Sequence, residues 1–242
     1  MSSRQTAGID HLDTALEELG APCDIPGLCD ELESQLSDLQ PVRTRSRRAA
    51  FVSLGAASAV YSLALLWFLD LRTDLDTLSR PWLILNSVAW LASFLAIAYL
   101  ALVPRRGQVS PSWRHAGVAA LVASVGFVLS GLMLGRPALD HTHSDLDVGS
   151  ALTQGYGCLS IGTISALLPI LLGALLLRGR LPVGAHWAGA GLGAAGGSLG
   201  GLLLHLHCSI VDPLHLGLMH GGVVVLGALL GALLLPRTAN AT

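Results

Sequence analysis

Six runs of about twenty residues, 49–69, 82–103, 116–135, 156–177, 185–206 and 214–235, contain no Asp, Glu or Arg, in a 242-residue chain whose basic residues are all arginine. At 1.5 Å of rise per residue, each run as a helix crosses a hydrocarbon core of about 30 Å. Only 12% of the residues are charged, roughly half the share in an ordinary soluble domain, which excludes a water-soluble enzyme. The predicted fold is all-α: a six-helix transmembrane bundle, residues 49–235, behind a short amphipathic helical N-terminal arm, with 236–242 as a tail. The first run starts after about fifty residues and is too long for a signal h-region, so a mature span is expected rather than a cleaved leader.

An even number of spans puts both termini on one side. With that side cytoplasmic, the inner segments hold Arg43, Arg45, Arg47, Arg48, Arg105, Arg106, Arg114, Arg178, Arg180 and Arg237. The outer loops hold Arg72, Arg80 and Arg136, together with every acid beyond the arm. The bias of basic residues toward cytoplasmic loops therefore predicts cytoplasmic termini in a bacterial inner membrane.

Residues 1–48 form the soluble part. Up to residue 42 they carry nine acids against one base, Arg4, and then reach the collar Arg43, Arg45, Arg47 and Arg48. Leu12, Leu16 and Leu19 have helical spacing, GAPCDIPG supplies a turn, and Leu28, Leu32, Leu36 and Leu39 resume the spacing beside Glu31 and Glu33. So short an arm buries too little surface to fold robustly alone. Either it is a solvated tail, or its leucine stripe enters a groove on a basic intracellular protein.

Within the fifth run, Gly189, Gly193, Gly197 and Gly201 lie four apart and make one bare helix face for close packing. Gly217 and Gly221 repeat the spacing in the sixth run, so packing of the last two helices on each other is expected. Trp67, Trp82, Trp113 and Trp187 read as interfacial anchors.

Chemistry concentrates near the outer ends of the last four helices. His141, His143, His205, His207, His215, His220, Cys158 and Cys208 all fall there. Cys158 and Cys208 have three readings: a disulfide, metal ligation, or buried thiols. His205, His207 and His215, with Cys208, offer ligand types suited to zinc or copper, although no cofactor is required by the pattern. Ser160 in GCLSIG lies in no nucleophile motif, and no zincin motif, nucleotide loop or nucleic-acid module appears, so no enzyme activity and no direct nucleic-acid contact are expected.

From Leu28 onward the chain resembles the NrsF-like membrane anti-sigma factors. The resemblance is carried by LCDELESQLSDLQPVRTRSRR, LDLRTDLDTLSRPW, CLSIGTISALLPILLGALLLRGRLP and AGAGLGAAGGSLGGLLLHLHC. It implies that residues 28–42 bind an extracytoplasmic-function sigma factor and that Cys158 and Cys208 match the family's recurrent outer cysteines. It further implies release of the sigma factor on an envelope, redox or light-linked stimulus. The chain departs from the family pattern in its N-terminal extension with His11, Cys23 and Cys29, and in HCSIVDPLHLGLMHG after Cys208. The alternative reading is a metal- or cofactor-binding inner-membrane protein that uses the outer His and Cys cluster.

Overall fold

The structure, a computed structural model, describes residues 46–76, 78–103, 111–134, 148–177, 184–210 and 212–239. The chain divides into two compact units, Met1–Thr44 and Arg45–Thr242, and the described residues belong to the second. The arm positions Leu12, Leu16, Leu19, Leu28, Glu31, Leu32, Glu33, Leu36 and Leu39 lie outside them, as do His141 and His143.

The described residues are helical, with six helices long and apolar enough to cross a membrane. These are α1 (Arg47–Leu69), α2 (Arg80–Leu102), α3 (Trp113–Leu134), α4 (Val148–Leu177), α5 (Ala185–His207) and α6. The last is built from Pro213–His215, a π-helical turn Leu216–His220, and Gly221–Ala239. The charge-free runs thus become the spans, because apolar helices satisfy every backbone hydrogen bond internally.

α5 is the axis of the bundle. Some 83% of its apolar window is buried, against 17% for α1, and it packs on α6, α4, α2 and α3. Its glycines make this possible. A Cβ at Gly189 would strike the Gly231 carbonyl, one at Gly193 the Gly227 carbonyl, and one at Gly197 would lie 2.6 Å from Val224 Cα. Small residues let helix backbones approach where lipid offers no hydrophobic drive for association. The stripe therefore does pack on the last helix, but Gly201 meets the Trp90 ring of α2 instead.

The α6 partners differ from the expected pair. Gly217 and Gly221 face α3, where an added Cβ would lie 2.7 Å from Leu132 Cγ and 2.8 Å from Val128 N respectively, while Gly227 and Gly231 meet α5. The π turn explains the difference, since it re-phases the residues before and after it. In contrast, Val60, Leu63 and Phe68 of α1 are exposed, as suits side chains meant for acyl chains.

Candidate functional site

The first half-turn of α6 sets the site. Asp212 caps it, its Oδ1 accepting from Leu214 N at 2.9 Å and His215 N at 3.1 Å, with Pro213 opening the helix. Both choices suit a helix start, where backbone donors are free and Pro loses nothing. A π turn follows, closed by Gly221 N–H donating to Leu216 O. In an α-helix, residues five apart point about 140° away from each other. A turn closed from i to i+5 brings them onto one face. His215 and His220 consequently both turn inward, 0% and 2% exposed, with ring centroids 5.3 Å apart in an edge-on arrangement.

Two thiols meet them from other helices. Cys158 lies on α4, and Cys208 is the C-terminal cap of α5, its N–H donating to Leu204 O at 2.7 Å. Their Sγ atoms are 3.4 Å apart, and Cys208 Sγ is 3.4 Å from His215 Nε2. Both cysteines are free thiols. Cys158, Cys208 and His215 each present one ligand atom, all within 4.8 Å of one another. Cys208 lies just beyond the α5 span, and its thiolate is favoured first by a hydrogen bond from Cys158 and then by His215 and His220.

The loop after α1 closes over this end of α5. Arg72 is buried, and its N–H donates to Leu206 O at 3.0 Å. Its Nη1 donates to His205 O at 3.2 Å and its Nη2 to Ser209 O at 3.4 Å. The same guanidinium forms a bidentate pair with Asp74, at 2.6 and 2.7 Å. That hydrogen bond from Arg72 holds the Asp74 carboxyl below its usual range. Such a fork satisfies the free carbonyls of a helix C-terminus and places a cation where the helix dipole is negative. Beside it, His207 Nδ1 donates to Asp70 O at 2.9 Å, and Asp70 ends α1 with φ 59° and ψ 152°. That conformation is strained for a residue with a Cβ.

The third feature is a small cavity of about 20 Å³ lined by Trp82, Asn86, Trp90, Phe127, Ser130, Gly131, His205, Leu216 and His220. It has room for about one water molecule. Trp90 stacks on Phe127 at 3.5 Å between ring centroids, and Trp82 packs on His205 at 4.8 Å. His205 Nε2 and His220 Nε2 are buried without a hydrogen-bond partner among the described residues.

The structure therefore brings Cys158 and Cys208 together, and adds His215. It gives the three candidate histidine ligands separate surroundings: His205 faces the cavity, His207 holds the Asp70 carbonyl, and His215 alone reaches a thiol. Trp82, expected as an anchor, also packs on His205. In the sequence, Arg72 and Asp74 read merely as loop charges; their one signal is a basic residue in an otherwise acidic stretch, LDLRTDLD.

Comparison with known proteins adds one result. Residues 36–240 match the family model described as NrsF, negative regulator of sigma F. No curated protein matches the chain, and neither does any solved structure.

Proposed function

This chain belongs to the family of negative regulators of sigma F, and we propose that it sequesters an extracytoplasmic-function sigma factor at the bacterial inner membrane and releases it when the Cys158 and Cys208 thiols are oxidised. The family identity carries the output, a sigma factor held inactive; the 3.4 Å approach of the two sulfurs carries the input. Binding belongs to residues 1–48, with Leu28, Leu32, Leu36 and Leu39 buried in the partner. Leu12, Leu16 and Leu19 extend the stripe, and Glu31 and Glu33 meet basic residues at its rim. An acidic arm approaching a basic partner gains association rate from complementary charge.

The arginine distribution supports cytoplasmic termini, which puts the thiol end of the bundle in the oxidising compartment. There a peroxide takes two electrons from the pair: the two S–H bonds break, one S–S bond forms, and the peroxide leaves as two waters. Closing the sulfurs from 3.4 Å to bond length, about 2.05 Å, pulls α4 and α5 together at one end. α5 contacts every other helix of the bundle except α1 extensively, so a shift there is felt widely. Neither catalytic turnover nor contact with DNA is involved.

A reporter of the sigma regulon tests both halves. The L32D/L36D double variant should leave the reporter on constitutively, because the sigma factor is never bound. C158S/C208S should leave it off under peroxide. A reporter that remains repressed in L32D/L36D, or that responds to peroxide in C158S/C208S, contradicts the corresponding half.

A further inference from the structure

We propose that Cys158, Cys208 and His215 bind a thiophilic divalent metal ion of the zinc class, with His220 beside them for the fourth position. The proposal rests on the reading of this pair as reduced thiols in the resting protein, and it adds a ligand to that site.

Three observations carry it. The first is spacing. With metal–sulfur bonds of about 2.3 Å and metal–nitrogen bonds of about 2.0–2.1 Å, a tetrahedral ion separates two sulfurs by about 3.8 Å and a sulfur from a nitrogen by about 3.6 Å. Here the sulfurs are 3.4 Å apart, Cys208 Sγ is 3.4 Å from His215 Nε2, and all three ligand atoms fall within 4.8 Å. The two 3.4 Å separations need only a few tenths of an ångström of opening to accommodate the ion. The donor set, two thiolates and an imidazole, is the one soft and borderline metals select.

The second is unsatisfied burial. His215 is wholly buried, its Nδ1 has no hydrogen-bond partner among the described residues, and Nε2 meets only a thiol. His220 is buried with its Nε2 likewise unpartnered among the described residues, and its ring centroid lies 5.3 Å from that of His215. Two buried imidazoles this poorly satisfied are costly in an apolar bundle unless something else occupies their lone pairs.

The third is charge. Binding is M²⁺ plus two thiols giving a dithiolate complex plus two protons, and that complex is neutral. A neutral complex is far cheaper at the edge of a bilayer than free thiolates. Because α4, the end of α5 and the start of α6 each supply one ligand, the ion pins three helices together. Disulfide formation consumes two of the three ligands, so oxidation and metal occupancy exclude each other.

The test uses the full chain in detergent, purified through a tag without histidine, reduced, and titrated first with Co²⁺ and then with Zn²⁺ as competitor. The expected result is one Co²⁺ per chain, with thiolate charge-transfer absorption and the intense d–d bands of a tetrahedral site, both erased by Zn²⁺. C158S, C208S and H215Q should each weaken binding by roughly 100-fold or more, beyond the cost of losing an outer-shell partner. H207Q should leave it unchanged. H215C, which keeps a ligand at that position, should retain a tetrahedral spectrum with added thiolate absorption, separating ligation from a mere folding defect. A wild-type protein without the tetrahedral spectrum overturns the proposal, as does Co²⁺ binding that survives C158S/C208S. Because no sigma factor is in the assay, a peroxide response without a metal site refutes only this inference, and a metal site without a peroxide response refutes only the redox reading.

Discussion

Arg72 Nη1 donates to the His205 carbonyl oxygen at 3.2 Å, tying the loop that leaves α1 to the last turn of α5. α1 is the helix that follows the arm, and the last turn of α5 leads into Cys208. The two residues are 133 positions apart in sequence, so this contact joins the end of α1 to the end of α5 that leads into Cys208.

Removing the guanidinium takes a donor from the His205 and Ser209 carbonyls and the charged fork from the Asp74 carboxylate. R72A should therefore destabilise the bundle by about 2–4 kcal/mol. Thermal unfolding in detergent reads this directly, with R72K recovering only part of the loss, since it lacks the bidentate fork. An unaltered midpoint in R72A means the clamp contributes nothing to stability.

The Asp74 partner sets a pH window. Its folded pKa lies below the ordinary 3.8. The contribution of a depressed carboxyl is fully present above the unfolded value and disappears as pH falls through the folded one. Wild type and D74N should thus differ by a constant amount between about pH 5 and pH 8, and converge only below about pH 3.8. The size of the gap is modest because Asp74 is partly exposed. Convergence already near about pH 6 would show another group titrating.

Glycine positions divide sharply. A methyl at Gly193 meets the Gly227 backbone, whereas one at Gly126 meets nothing within 4 Å. G193A should cost about 1–3 kcal/mol by overpacking, and G126A should be neutral or slightly stabilising. Equal effects at the two sites would contradict the α5 to α6 backbone contact.

These positions also show what the sequence makes legible. The spans are plain because charge-free length is a local property: the run 82–103 becomes the helix Arg80–Leu102. The Gly189, Gly193, Gly197 stripe is legible as a packing face, since four-residue spacing maps directly onto a helix. Partner choice is not, and Gly217 and Gly221 turn to α3 because the π turn re-phases α6, which no spacing rule anticipates. The meeting of Cys158 and Cys208 follows from their similar depth, Cys158 near the start of the apolar stretch of α4 and Cys208 at the C-terminal cap of α5. His215 joins them, rather than His205 or His207, for the same reason that Gly217 turns away: the short cap and π turn decide which side chains point inward. Arg72 is illegible as a clamp because a loop charge acquires a partner only through the tertiary fold.

The central claim joins one sigma factor to one thiol pair, and a single measurement on the intact protein reaches both. Full-length protein is isolated from membranes of its host under reducing conditions, and the co-purified sigma factor is quantified before and after mild peroxide, in wild type and in C158S/C208S. One sigma factor should be retained by both proteins while reduced, lost from wild type on oxidation, and kept by the variant. Absence of any sigma factor from the reduced protein, or equal loss from the variant on oxidation, would contradict the claim.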